Sequence, residues 1–260
     1  VKEADVHFIR FQFIDVFGRL KNLAITNSRL EKALNEGVLF DGSAIEGHLR
    51  QRERELLLVP DVDTFCMLPW RPQQGSVARL MCAVQTLDGQ AFEGDSRHIL
   101  QRQVNVLADE GMSLDIATEI EFYLLKLDDD GNPMHTPHDS GGYYDVAPAD
   151  KGENARRDIT LNLEGMGFEV IKSQHSYAKG QHMVSFAHND AMKVADNIAT
   201  LKLVVRTVAR SHGLHATFMP KLAQGMSGCG LHMLMSLTDS AGADLFAGDN
   251  EYGLSEAAMF

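Results

Sequence analysis

The chain has 260 residues, 44% of them hydrophobic and 23% charged, so one large domain or two ordinary ones with real cores are within reach. Its net charge of −12 repels a phosphate backbone and argues against nucleic acid as a partner. No run approaches the length of a membrane span, the first residues lack a signal peptide's basic and apolar regions, and Cys66, Cys82 and Cys229 show no CxxC spacing. These features predict a cytoplasmic protein with no membrane association and no disulfide framework.

Residues 5–14 alternate apolar and polar and predict a strand. Asp15-Val16-Phe17-Gly18 predicts a turn into a second strand over Leu20–Ile25. Ser28-Arg29-Leu30-Glu31 has the form of a capping box, opening a short helix that stops at Gly37. Further strands are expected at Leu56–Val59, Thr64–Leu68 and Val77–Val84, with a turn at Asp88-Gly89. The result is a small α+β unit over residues 1–92.

The pattern changes near Glu93-Gly94-Asp95. Arg97–Asp109 predicts a helix with Gly111 as its C-cap. Glu119–Leu125 predicts a strand and Asp128–Pro133 a hairpin turn. Gly141-Gly142-Tyr143-Tyr144 reads as a flexible aromatic segment. Helices are expected at about 151–166 and 189–211, the second capped by Asn189 or Asp190 and stopped near Gly213. Strands are expected at Phe168–Val170, Gln181–Phe186, His215–Met219 and Leu231–Leu237. Residues 93–260 thus form a second, strand-rich region.

Glu119 and Glu121 are two apart on a predicted strand, so their carboxylates share a face. Two like charges there are tolerated if a hard divalent cation lies between them. A solvated edge is the plainer alternative. His232 follows the Gly-rich turn Ser227-Gly228-Cys229-Gly230 at the start of a strand, where a neutral imidazole can join a carboxylate on a metal. A lone strand histidine is more often a hydrogen-bonded structural residue. Asp41-Gly42-Ser43 is a polar loop in the small N-terminal unit.

Together these stretches resemble the prokaryotic type I glutamine synthetase family. The resemblance rests on Phe40-Asp41-Gly42-Ser43, Val59-Pro60-Asp61 with Leu68-Pro69-Trp70, and Glu119-x-Glu121-Phe122. Gly141-Gly142-Tyr143-Tyr144-Asp145, the block Ala178–Phe186, His212–Lys221 and Gly230-x-His232 complete it, in family order across the chain. It implies a small N-terminal β-grasp domain and a partial catalytic domain with a curved, mainly antiparallel sheet. It also implies ATP- and Mg²⁺- or Mn²⁺-dependent joining of ammonia to the γ-carboxylate of glutamate, through γ-glutamyl phosphate. The expected assembly is a homo-oligomer with each active site between two subunits. By the same resemblance Asp41 assists ammonium deprotonation, while Glu119, Glu121 and His232 bind metal. Ser236 and Tyr143 then lie at the nucleotide, and Ser227 and Gly228 at glutamate.

The sequence departs from that pattern within the site. Ser176 and Met183 stand where the resemblance calls for two glutamates that hold a metal with Glu121. A serine hydroxyl is a weak neutral ligand and a thioether is mismatched to Mg²⁺. Ala44, Glu55, Ile171, Ser227 and Leu234 also replace polar residues of the pattern, whereas Ser236 keeps it. The family's catalytic domain continues beyond a point equivalent to residue 260. These departures predict impaired ligation, with an inactive homologue in a binding, regulatory or structural role as the alternative.

Overall fold

The computed structural model describes residues 5–47, 54–71 and 75–259. The chain divides into two compact units, residues 1–106 and 107–260.

The first unit is built on a five-stranded sheet. Its strands are β1 (Val6–Ile14), β2 (Leu20–Thr26), β3 (Val38–Asp41), β4 (Glu55–Met67) and β5 (Ser76–Gln85), in the order β2-β1-β5-β4-β3. Only β1 and β5 run parallel, and helix α1 (Leu30–Glu36) follows β2. The alternation of β1 buries Ile9, Phe11 and Phe13 against Leu56, Leu58, Leu80 and Val84. This is the expected β-grasp arrangement.

Two expectations in this unit are corrected. Ser28 is not the cap of α1, because Asn27–Arg29 forms a 3₁₀ turn and the helix starts from Arg29 without a side-chain cap. The Ser28 hydroxyl instead lies 3.0 Å from Thr26 Oγ1. The two strands expected at 56–59 and 64–68 are one strand, β4. A register shift between Asp61 and Cys66 absorbs the intervening residues without breaking it.

Helix α2 (Ser96–Asp109) leads to the second unit's longest strand, β6 (Met112–Leu127). After it come β7 (Pro133–Pro137), α3 (Glu153–Gly165), β8 (Val170–His175), β9 (Gln181–Asp190), α4 (Ala191–Ser211), β10 (Leu214–Thr217), β11 (Leu231–Asp239) and α5 (Glu256–Met259). Every pairing in this sheet is antiparallel. One side of β6 takes β9 and then β7; the other takes β11 and then β10. The strand expected at Phe168–Val170 begins instead at Val170 and runs to His175. Asp190 is the α4 cap and accepts the Lys193 N–H at 2.8 Å.

Strand periodicity gives β6 two different faces. Ile120, Phe122 and Leu124 are fully buried and share the core with Val184 of β9, Ile159 and Leu163 of α3, and Leu201 and Val205 of α4. Glu119 and Glu121 alternate with them and point to the opposite face. Among the described residues no helix is long and apolar enough to cross a membrane.

Candidate functional site

The register places a row of polar side chains on the open face of the sheet. Lys172 of β8, Ser185 of β9, Glu119 of β6 and His232 of β11 lie side by side across four strands. One step further along, Gln174, Met183 and Glu121 form a second row. Gly230 lies next to Glu121, accepting its backbone N–H at 2.9 Å.

The Glu121 carboxylate is ringed by donors. Oε1 accepts a short hydrogen bond from Ser176 Oγ. Oε2 accepts from Gln181 Nε2 at 3.0 Å and from Gly230 N at 2.8 Å. The Gln181 amide is itself fixed, because Nε2 also donates to Gly228 O at 2.8 Å and Oε1 accepts from Ala178 N at 3.0 Å. A carboxylate with three protein donors needs no cation to be tolerated at a half-buried position.

Gly230 lies close against the side chains of both Glu121 and His232. A Cβ on it would stand 2.6 Å from His232 Nε2 and 3.2 Å from Glu121 Oε2, so imidazole and carboxylate converge on the same glycine. The three residues expected to bind metal are therefore brought to one face, with Glu119 directly opposite His232. Glu119 carries its own partner: Lys172 Nζ lies 2.8 Å from Oε1.

The resemblance implies divalent metal at these positions, and the side chains around Glu121 do not fit it. Two of the three expected carboxylates are Ser176, which donates to Glu121, and Met183, which sits opposite Glu121 in the ladder and is 6% exposed. A hard cation prefers carboxylate oxygens to a neutral hydroxyl and a thioether. Burial, with the Glu121 charge adding, pushes the Cys229 thiol up to about 12. The Tyr123 phenol is also pushed up to about 12, by burial first and then by Cys229 and Glu121. Neither group is a ready nucleophile or base near neutral pH.

The remaining predicted residues are dispersed. Ser227 and Gly228 turn their carbonyls inward, accepting from Tyr123 Oη and Gln181 Nε2, both at 2.8 Å. Ser236 sits further along β11, opposite Asp115. Tyr143 is half-exposed with its ring centroid 4.2 Å from that of Tyr144, whose φ of 62° lies in the left-handed region. Asp41, in the first unit, accepts from Ser43 Oγ at 2.6 Å and Ser43 N at 2.9 Å, which hold its carboxyl below the usual range. It lines a cleft of about 870 Å³ with Arg54, Glu55 and Asp88.

A second polar cluster lies on the helix-covered face of the same strands and was not foreseen from sequence. The side chains of Asp139, Asp150, His175 and His182 are buried, with ligand-type atoms within 4.8 Å of one another. The charges close without a metal. His175 Nδ1 donates to Ser176 O at 2.8 Å and Nε2 to Asp139 Oδ1 at 3.1 Å, so both nitrogens carry protons. Burial pulls this imidazole's pKa down, but the Asp139 and Ser176 bonds outweigh it and the net shift is upward. Asp150 pairs with Arg156 Nη1 at 2.8 Å. Arg156 Nη1 also donates to His182 Nδ1 at 2.9 Å, so the His182 proton sits on Nε2, 3.9 Å from Asp139 Oδ2. Burial and then Arg156 push His182 down to about 3, leaving it neutral. With Nε2 protonated, His182 has no lone pair for a metal, and two cations already balance two carboxylates. The only advance signal of this cluster was the spacing of His175 and His182 around a Gly-Gln turn.

Comparison with known proteins gives a consistent picture. Residues 5–86 match the glutamine synthetase β-grasp domain and residues 93–259 the glutamine synthetase catalytic domain. Glutamine synthetase of Clostridium saccharobutylicum is 49% identical over 99% of this chain, and that of Staphylococcus aureus (strain MW2) is 46% identical over 99%. The chain spans 58% of the length of each. Among solved structures, apo GmaS superposes with a TM-score of 0.89 at 29% identity, covering 99% of this chain and 60% of that one. Plasmodium falciparum glutamine synthetase superposes with a TM-score of 0.87 at 21% identity, covering 99% and 56%, a likeness of fold.

Proposed function

The chain belongs to the glutamine synthetase family, and from that premise we propose that it is a member whose ATP- and Mg²⁺-dependent ligation of ammonia to glutamate is impaired. The observation that carries this reading is that Ser176, Gln181 and Gly230 all donate to Glu121, with Ser176 and Met183 in place of its expected carboxylate companions. In the family reaction charge builds on the transferring phosphoryl oxygens and on the acyl phosphate, and bound divalent ions offset it. Here one carboxylate of that site is spent on internal hydrogen bonds, and its expected companions are Ser176 and Met183. The scaffold that presents the face is kept, so a binding or regulatory role on the family fold is the consistent outcome. The proposed division into domains falls after residue 92, between the two matched segments. A cytoplasmic location and a homo-oligomer with sites between subunits belong to the same proposal.

A second reading is a divergent ligase working through the other metal position. The in-register pair Glu119–His232 favours it, as does the presence of Asp41. One experiment separates the two. Mn²⁺ with ATP is titrated calorimetrically into the purified chain, and γ-glutamyl hydroxamate formation is assayed on the same sample. Neither binding nor turnover, beside a family member that shows both, is the expected result. Metal-dependent binding with turnover overturns the impaired reading in favour of the ligase.

A further inference from the structure

We propose that Lys172 is the resident cation of the Glu119 arm: its ammonium group occupies, from within the chain, the charge position a divalent ion would take on that carboxylate. This rests on the reading that metal chemistry is impaired, and it names what stands in the ion's place.

The register makes the contact possible. Lys172 and Glu119 are on β8 and β6, with β9 between them, so two strand spacings of roughly 4.8 Å separate their backbones. Neither short nor apolar side chains bridge that gap, but a lysine stem and a glutamate together do. The residue between them in the row is Ser185. Its side chain is small, and its hydroxyl lies 3.5 Å from the Lys172 carbonyl oxygen. A bulky side chain there would block the crossing. Lys172 Nζ then reaches Glu119 Oε1 at 2.8 Å.

The charge pattern of the face points the same way. Glu119 has an ammonium partner, while no ion pair to Glu121 is found among the described residues, only the neutral donors already named. Each carboxylate is thus answered separately, one by a cation and one by dipoles. A divalent ion approaching Glu119 and His232 must first displace the ammonium or bind beside it against like-charge repulsion. The lysine and glutamate side chains are 46% and 30% exposed, so the pair is reachable by solvent ions and its effect is measurable as competition.

The test is Mn²⁺ binding, followed by electron paramagnetic resonance of the free ion, on wild type, Lys172→Met and Lys172→Arg. Lys172→Met keeps much of the stem and removes the charge; Lys172→Arg keeps the charge. Lys172→Met is expected to bind Mn²⁺ roughly tenfold tighter than wild type or Lys172→Arg. Adding Glu119→Gln should abolish that gain. Weak binding that Lys172→Met does not improve overturns the Lys172 assignment and leaves the functional reading standing. Tight binding by wild type, unchanged in Lys172→Met, overturns both. A metal-free double-mutant cycle of Lys172→Met and Glu119→Gln on the unfolding midpoint is the second measurement. Coupled midpoints support the pairing, and additive ones overturn it.

Discussion

Met183 stands directly opposite Glu121 in the β6–β9 ladder, with its side chain buried on the same face as the carboxylate. Opposed residues of an antiparallel pair are near neighbours, so whatever occupies position 183 sets the local field at Glu121. A thioether leaves Glu121 as the only charge at that rung. Met183→Glu would set a second, largely buried carboxylate beside it without a cation. We expect it to destabilise the metal-free chain by about 3 kcal/mol. Mn²⁺ should then raise the unfolding midpoint of the variant more than that of wild type. A variant with wild-type stability and no Mn²⁺ response would show that the two side chains do not share a site.

Ser176 contributes to Glu121 in a different way, through its hydroxyl. The residue is 2% exposed and follows β8, where its backbone N–H donates to Gln181 O at 2.7 Å. Ser176→Ala keeps the backbone bond and removes one donor from a carboxylate. The expected loss is about 1–2 kcal/mol, read as a lower urea midpoint with an unchanged slope. Ser176→Thr, which retains the hydroxyl, should recover part of it. Equal losses in both variants would point to packing and not to the hydrogen bond.

Much of this was legible in the sequence, and the remainder was lost for identifiable reasons. Period-two alternation placed Glu119 and Glu121 on one face because that property is local to β6. It did not show that Met183 opposes Glu121, since register between strands some sixty residues apart is fixed by tertiary pairing. The role of Lys172 was hidden for the same cause: its partner lies two strands away. The Ser28 capping box failed because a 3₁₀ turn took up the residues that a cap would need. Pro60-Asp61-Val62-Asp63 has the composition of a break and so predicts two strands, whereas the structure keeps one strand, β4, and shifts its register. The buried Asp139–His175 pair joins residues from a loop and a distant strand and leaves no local pattern.

That pair predicts opposite pH effects from two neighbouring histidines. The native pKa of His175 is raised, so its stabilisation is full below the unfolded value near 6.5 and is lost as pH rises through the native one. His182 is held down to about 3, so the unfolded chain takes up a proton there first and stability falls as pH drops below about 6.5. Asp139 is held down to about 2, mainly by His175 and Gly180 against the cost of burial, and its contribution fades only as pH falls below about 3.8. Urea midpoints from pH about 4 to about 8 separate the two imidazoles. His182→Asn, which keeps an acceptor for Arg156, should flatten the acid side. The deficit of His175→Gln relative to wild type should shrink as pH rises above about 6.5. A deficit that does not change with pH would mean that His175 is uncharged in the folded chain.

Gly180 holds the turn that joins the two faces. Its N–H donates to Asp139 Oδ1 at 2.7 Å and its carbonyl accepts from Leu124 N at 2.8 Å. Its φ of 67° lies in the left-handed region, and a Cβ would meet the Leu124 carbonyl oxygen at 2.9 Å. That neighbour is backbone of the central strand and has nowhere to move. Gly180→Ala therefore combines left-handed strain with overpacking, and the expected cost is about 3 kcal/mol. The same turn positions Gln181, so the damage should reach the open face. Hydrogen exchange of the Gly230 amide, which donates to Glu121 beside Gln181, should accelerate more in Gly180→Ala than exchange in β1 of the first unit. Uniform acceleration across both units would mean that the turn supports global stability alone. Confined acceleration would tie the geometry at Glu121 to the conformation of a single glycine.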